Sequence, residues 1–297
     1  MKVHLTTLSN HLYQESRERL CNSALRVGIE SIFSFDFDEI KASDFYKKNQ
    51  AILSNVKFLG YWLWKPFIIA DTLNKVDEGD VLIYADAGAE IIQQLDWLVN
   101  HCQINEPIIL FGNATDINAS WTKRDCFVMM DCDSPEYWFS PHCDASFMLF
   151  RKCQQTVDFV NQWLNYGCNE NIITDLPNIS GKPNLEEYRD HRYDQSILSL
   201  LAQKSKLNLY RIPSQFGNHY KTHELRVQGE FNCPSQWNQT QVSYYSVIPY
   251  YNSDYSQLVN HHRTKKVDVS AQSKYVNRPL HRRILSKVKS VLISFKH

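Results

Sequence analysis

The sequence predicts an α/β fold in which a mostly parallel central sheet is flanked by helices. One observation is the run Val81–Tyr84, which is entirely apolar or aromatic, as in a strand buried on both faces of a parallel sheet. Another is a β-α-β opening, with strands at 3–7 and 29–37 around a helix at 12–27 that Gly28 ends. A chain of 297 residues is long enough for one large domain of this class with a small appendage.

The remaining elements follow from periodicity and from helix-breaking residues. Pro66 can begin a helix after an aromatic run that contains Lys65. Lys65 could meet a phosphate while an aromatic ring of this run packs on a base or sugar. The alternative for most of the rings is a buried plug under the sheet. Further helices are predicted at 91–100, at 153–166 and from 191–196 onward, strands at 107–111 and 144–151, loops at 121–125 and 167–185, and short strands within 207–227.

Composition narrows the functional classes. The 32 basic and 32 acidic residues balance, so no overall field favours nucleic acid as a partner. Neither a G-x-G-x-x-G fingerprint nor a G-K-[ST] phosphate loop occurs. The eight cysteines lack C-x-x-C spacing, and the first residues lack the apolar core of a signal peptide. We therefore expect a reducing, cytoplasmic environment with free thiols.

A carboxylate follows the most apolar strand directly. Ligands of open α/β sheets bind outside the carboxyl ends of the strands, so Asp86 is well placed to hold a hard cation against a diphosphate. Gly88 permits close approach of the backbone. The alternative is that Asp86 only caps the next helix.

Three more polar groups stand at the ends of predicted elements. Asp144-Ala145-Ser146 begins an apolar strand, and Asp194 lies at a helix N-terminus, where its charge complements the helix dipole. His261-His262-Arg263 offers an imidazole to a metal and a cation to a phosphate, unless it is a solvated tail.

Taken together, these segments resemble a family. Tyr84-Ala85-Asp86-Ala87-Gly88, Asp144-Ala145-Ser146, Asp194-Gln195-Ser196 and His261-His262-Arg263 are similar, in order and spacing, to motifs of metal-dependent sugar-nucleotide glycosyltransferases of the GT-A fold. The order resembles that of the retaining galactosyltransferases of bacterial lipooligosaccharide synthesis and of the glycogenins. The run from Gly60 to Pro66 resembles bacterial and viral polysaccharide-assembly glycosyltransferases with an Asp-Ala-Gly variant. The resemblance predicts a catalytic domain at 1–265 and a C-terminal extension at 266–297.

The resemblance also implies roles for individual residues. Asp86 and His261, with His262 as a competitor, would bind Mn²⁺ or Mg²⁺. Because Gly88 replaces the second aspartate of the motif, either water substitutes, Glu90 reaches in, or metal affinity is low. Catalytic roles fall to Gln195, Asp194 and Asp144, and the expected donor-binding residues are Thr6, Thr7, Lys65, Tyr84, Ala85, Asp86, Gly88, Lys123, Arg124, Ala145, Ser146 and Arg263.

The implied reaction is transfer of a hexose, galactose in the first instance, from a UDP-sugar donor to a glycan or lipid-linked glycan acceptor in lipopolysaccharide, O-antigen or capsule synthesis. Retention would use Gln195 or Asp194, whereas inversion would need Asp144 or Asp194 as a base. The alternatives are an inverting galactosyl-, galactofuranosyl- or glucosyltransferase, a sugar-phosphate nucleotidyltransferase and a non-catalytic carbohydrate-binding module. Against the nucleotidyltransferase, no Gly-rich basic signature follows the first strand.

Residues 281–297 form a separate pattern. Apolar residues recur on one helical face while the remainder is basic, which predicts an interfacial helix on an anionic membrane surface. A helix that docks on its own domain would have the same stripe. The first interpretation predicts peripheral association with the inner face of the cytoplasmic membrane.

Overall fold

A computed structural model describes residues 1–29, 31–217, 250 and 252–262, without the side chains of 114 and 115. Its central sheet has six strands in the order β2-β1-β3-β6-β5-β7, and β4 and β8 form a second, two-stranded sheet. The strands are β1 (Val3–Ser9), β2 (Ser31–Asp36), β3 (Val81–Ala85), β4 (Ala89–Ile91), β5 (Ile108–Ile117), β6 (Pro141–Arg151), β7 (Leu209–Arg211) and β8 (Val259–His261).

Helices connect most of these strands. They are α1 (Gln14–Arg26), α2 (Phe37–Ala42), α3 (Asp44–Lys48), α4 (Gln50–Leu53), α5 (Phe58–Tyr61), α6 (Trp64–Leu73), α7 (Asp96–Ile104), α8 (Asn118–Trp121), α9 (Arg124–Met129), α10 (Pro135–Trp138), α11 (Gln154–Gly167), α12 (Glu170–Ile173) and α13 (Asp194–Lys204), with a 3-10 turn at His11–Tyr13.

The prediction of a mostly parallel sheet flanked by helices is confirmed. Strands β2, β1 and β3 are parallel, and β5 is parallel to β7, so β6 is the one reversed strand of this sheet. All five residues of β3 are buried, with Leu82 and Tyr84 on one face and Ile83 on the other. The first face packs against α6, α11 and α13, and the second against α1 and α7.

Three segments differ from their predictions. The loop predicted at 167–185 contains the short helix α12. The helix predicted from residue 91 begins at Asp96, because Ala89–Ile91 instead pairs with β8 as an antiparallel strand. Residues 121–125 are not an exposed loop. They join two short helices, and Lys123 between them is buried.

The segment named α5, just before α6, is a left-handed turn and not an ordinary α-helix. Phe58, Leu59, Tyr61 and Trp62 have φ angles of 50°, 56°, 57° and 59°, and Gly60 has a φ of 80°. L-residues rarely adopt this left-handed region in succession, because Cβ then approaches the following carbonyl. At Gly60 a Cβ would also lie 2.6 Å from the Cα of Leu53, so the position excludes any side chain.

No helix in the described ranges is long and apolar enough to cross a membrane. Arg263 and the basic stretch 281–297 lie outside those ranges, as does the boundary at 265/266. Their predicted roles stay predictions.

Candidate functional site

A buried lysine stands at the centre of the site. Lys65, in the first turn of α6, is 3% exposed, and its Nζ lies 3.1 Å from Asp194 Oδ2 and 3.6 Å from Asp86 Oδ1. Nζ also donates a hydrogen bond to the carbonyl of Ala145 at 3.0 Å. Burial lowers the pKa of Lys65, but the charges of Asp194 and Asp86 outweigh it and hold the pKa above its ordinary value. Lys65 is therefore expected to carry its charge at neutral pH.

Asp86 follows β3 directly and keeps a side-chain exposure of 39%. Its Oδ1 accepts a 2.6 Å hydrogen bond from the hydroxyl of Tyr84, which is fully buried. Burial, followed by the charge of Asp86, raises the pKa of Tyr84 well above its ordinary value, so the phenol stays a donor. Asp86 is thus held by its own strand and remains accessible.

The reversed direction of β6 brings the second acidic group to the same place. Ala85 pairs with Phe147, and the next amide along, that of Asp86, donates to the carbonyl of Ser146 at 2.8 Å. Asp144 Oδ1 accepts hydrogen bonds from the amide of Ser146, at 2.8 Å, and from its hydroxyl. Asp144 and Asp86 therefore lie on adjacent strands at one end of the sheet.

His261 reaches this end through the two-stranded sheet. It pairs with Ala89, three residues after Asp86, and its Nε2 lies 3.4 Å from Ser146 Oγ. The side chain of Gln215 holds the His261 backbone on both sides, accepting from its N–H at 3.0 Å and donating to its carbonyl at 2.7 Å. The adjacent His262 donates its backbone N–H to Gly88 at 2.9 Å. Gln215 belongs to no motif or periodic pattern of the sequence.

Asp194 begins α13 and is 1% exposed. Burial raises its pKa to about 6, against the opposing charge of Lys65. The indole of Trp163 donates to the Asp194 carbonyl at 2.9 Å, which ties the start of α13 to α11. Tyr193, just before it, has a φ of 54°, and Gln195 beside it is partly exposed. The start of α13 is therefore anchored to α11, and the Asp194 carboxylate contacts Lys65.

Two predicted donor-binding residues make their contacts elsewhere. The Nζ of Lys123 donates to the carbonyl of Leu176 at 3.0 Å, and burial lowers its pKa. Arg124 places its Nε 2.9 Å from Asp133 Oδ1 and stacks over Trp138. These contacts tie α9 to its neighbours, and the donor-binding role of both residues stays a prediction.

Three other residues considered for the site, Thr6, Thr7 and Glu90, lie within strands. Thr6 and Thr7 are fully buried in β1, where the Thr6 hydroxyl contacts that of Thr72 at 3.1 Å. Glu90 was considered as a substitute metal ligand. Its Oε1 instead lies 3.1 Å from a guanidinium nitrogen of Arg26.

The side chains around Asp86 offer some, but not all, of the ligands that a hard cation needs. Asp86, Asp144 and His261 supply oxygen and nitrogen atoms of the kind that Mn²⁺ and Mg²⁺ accept. Nevertheless, no group of three or more His, Cys, Asp or Glu side chains in the described residues is arranged to hold a metal ion. A cation bound here would therefore draw the rest of its ligands from substrate oxygens or water.

Neither a protein-family description nor a curated protein sequence matches this chain. Solved structures similar to it include the apo form of mouse xyloside xylosyltransferase 1, with 10% identity, a TM-score of 0.46, and coverage of 89% of this chain and 98% of that one. The apo bifunctional glycosyltransferase WbbM has 11% identity, a TM-score of 0.47 and coverage of 89% and 46%. GlyE of Streptococcus pneumoniae TIGR4 has 14% identity, a TM-score of 0.39 and coverage of 89% and 55%.

This chain thus spans about half the length of the WbbM and GlyE chains. These three TM-scores are all below 0.5, so any function proposed for this chain depends on the side chains of the site itself.

Proposed function

We propose that this protein is a GT-A glycosyltransferase that transfers a hexose, galactose in the first instance, from a UDP-sugar to a glycan acceptor of a bacterial surface polysaccharide. The observation that carries the proposal is the meeting of Lys65 with Asp86 and Asp194 at the carboxyl end of β3, with Asp144 and His261 beside them. Ligands of α/β sheets bind at this end.

The charges at this site favour a diphosphate bound with a cation. Three carboxylates stand against one buried ammonium, so the group has an excess of negative charge. A diphosphate alone would be repelled, whereas a divalent cation between Asp86, His261 and the diphosphate would neutralise both. When bound, that cation supplies Lewis-acid stabilisation of the departing diphosphate.

The chain's own residues would act on the sugar. In transfer, the bond from C1 to the diphosphate breaks with its electron pair on the diphosphate, and the acceptor hydroxyl oxygen bonds to C1. The carboxylate of Asp194, fixed beside Lys65, stabilises positive charge that develops on the sugar ring. In a retaining, same-face reaction the acceptor's proton passes to the departing diphosphate. Gln195 would lie near C1, as the family resemblance implies.

Thermal unfolding with UDP, UDP-galactose and UDP-glucose, each with and without Mn²⁺, tests this function. A ligand that binds only the folded chain raises the unfolding temperature, so we expect a rise with donor plus Mn²⁺ that exceeds the rise with either alone. Asp86→Asn and His261→Ala should abolish that excess. Asp158→Asn, which changes an exposed carboxylate on α11, is the matched control.

An acceptor screen then separates the reactions. Release of UDP together with a lengthened glycan supports the proposal, and NMR of the new linkage gives retention or inversion. Pyrophosphate release from a nucleoside triphosphate would indicate a nucleotidyltransferase instead. Glycan binding with no donor binding would indicate a carbohydrate-binding module.

A further inference from the structure

Next to the acidic site, the left-handed turn presents a stacked pair of aromatic rings. The rings of Phe58 and Trp62 lie 4.0 Å apart with an interplanar angle of 14°. Phe58 is 43% exposed, so the outer ring of the stack is open to solvent. An ordinary right-handed turn would place these side chains differently, so the uncommon backbone of residues 58–62 is what sets up this ring pair.

The exposed Phe58 is connected to the buried Lys65 by contacts through Trp62. The Nζ of Lys65 lies 5.7 Å from the centre of the Trp62 ring, and Phe58 stacks on that same ring. Both rings also contact Tyr193, at centroid distances of 5.6 and 6.0 Å, and the next residue is Asp194. A molecule lying on Phe58 would therefore be a close neighbour of the site that holds the donor.

A charged pair lies next to Tyr193, which the ring of Phe58 also contacts. Lys57 and Asp175 form an ion pair at 2.6 Å with side-chain exposures of 41% and 39%. The Nζ of Lys57 also lies 5.1 Å from the centre of the Tyr193 ring. Phe58 and this ion pair therefore share Tyr193 as a neighbour, and an exposed ring with a charged pair nearby is suited to an amphipathic ligand.

A pyranose ring has this amphipathic character. Its C–H face carries partial positive charge, which the negative face of an aromatic ring attracts, and its rim of hydroxyls can bond to charged side chains. A lipid chain would leave the Lys57–Asp175 pair unused, so the chemistry favours a sugar.

We propose that Phe58 is the stacking platform for a hexopyranose unit of the acceptor glycan, with Lys57 and Asp175 binding its hydroxyls. The platform rests on the proposed function, because it supplies the second substrate of that reaction. It orients the acceptor beside the Lys65–Asp194 pair while the donor occupies the Asp86 side.

Direct glycan binding tests the platform without any donor. The full chain, fluorescently labelled, is applied to an array of hexose- and hexosamine-terminated oligosaccharides, and the dissociation constant of the best ligand is then measured by calorimetry. We expect Phe58→Leu, which keeps apolar volume but removes the flat ring, to weaken binding about threefold to tenfold. Phe58→Trp should bind at least as well as the unaltered chain.

Ile104→Ala shortens another exposed apolar side chain, on α7, and should leave glycan binding unchanged. The unfolding temperature of each variant shows that the fold is intact. Equal binding by Phe58→Leu, or no array binding by the unaltered chain, would overturn the platform. UDP competing with the glycan would also overturn it, by placing the nucleotide on Phe58. Donor stabilisation by UDP-sugar and Mn²⁺ is scored separately, so the platform and the proposed function can fail independently.

Discussion

The ammonium of Lys65 lies 3.1 Å from the carboxylate of Asp194, and both side chains are almost completely buried. One comes from the first turn of α6 and the other from the first turn of α13, so this contact joins two helices on the same face of the sheet. An isolated buried ion has a large desolvation penalty, and the attraction between Lys65 and Asp194 offsets part of that penalty for both.

Lys65→Met should therefore destabilise the fold strongly. Removal of one partner of a buried pair leaves the other uncompensated, which typically costs about 3–5 kcal/mol. Urea unfolding at pH 7.5 would measure the loss. The double variant Lys65→Met/Asp194→Asn should recover part of it, because no unpaired charge remains. Lys47→Met breaks an exposed pair with Asp44 and should have no measurable effect. Equal losses in Lys65→Met and Lys47→Met would contradict the importance of burial.

The pKa of Asp194 predicts an acid limit to activity. Burial raises this pKa to about 6, so the carboxylate that the proposed transfer requires becomes protonated as the pH falls through that value. The rate of transfer at saturating donor should decline below about pH 6. A milder substitution, Lys65→Arg, keeps the cation and should keep the limit near the same pH. A profile that stays flat down to pH 5 would exclude an essential Asp194 carboxylate.

Apolar periodicity was sufficient to predict the buried strand β3 and the position of Asp86 directly after it, because a run like Val81–Tyr84 has few other ways to be buried. The sequence shows Lys65 as a charged residue within an apolar run, but it does not show which carboxylate pairs with it. Asp194 meets it only through the packing of α13 on β6 and α11. The same limit applies to Gln215, whose hold on His261 depends on a loop that carries no periodic signal.

For Lys123, the local sequence pattern was misleading. A charged sequence from 121 to 125 indicates solvent, yet Lys123 is buried, with its ammonium on a backbone carbonyl. Tertiary hydrogen bonds decided the outcome there, and no local pattern reports them.

Because two histidines are buried, we expect the free energy of unfolding to decrease in acid. Burial lowers the pKa of His142 and that of His191 to about 3. His191 donates from Nε2 to the carbonyl of Ile172 and accepts at Nδ1 from the amide of Lys123, which fixes one neutral tautomer. Since the unfolded imidazole has a pKa near 6.5, the unfolded chain binds more protons between about pH 6.5 and 3, and stability falls as the pH drops through that range.

Asp194 opposes this trend. Its pKa of about 6 in the fold exceeds the unfolded value, so its contribution to stability rises as the pH falls from about 6 to 4. Two imidazoles outweigh one carboxylate, and the net result is acid destabilisation. Chemical unfolding at a series of pH values from 7.5 to 5 would show it, and His191→Gln should reduce the slope. His11→Gln changes an exposed imidazole and should leave the slope unchanged.

Gly60→Ala should test the left-handed turn that carries the ring pair. The new Cβ would meet Leu53 Cα at 2.6 Å and would also enter a backbone region, φ of 80°, that alanine disfavours. Strain and overpacking together should cost about 3 kcal/mol. Gly79→Ala is the matched control, because Gly79 has a φ of 85° but no atom within 4 Å of its Cβ position, so only the backbone cost of about 1 kcal/mol applies there. Urea midpoints of the two variants separate the effects. Equal decreases in stability for the two variants would mean that the backbone around Leu53 shifts to accommodate the new Cβ. The packing of the turn would then impose no extra cost.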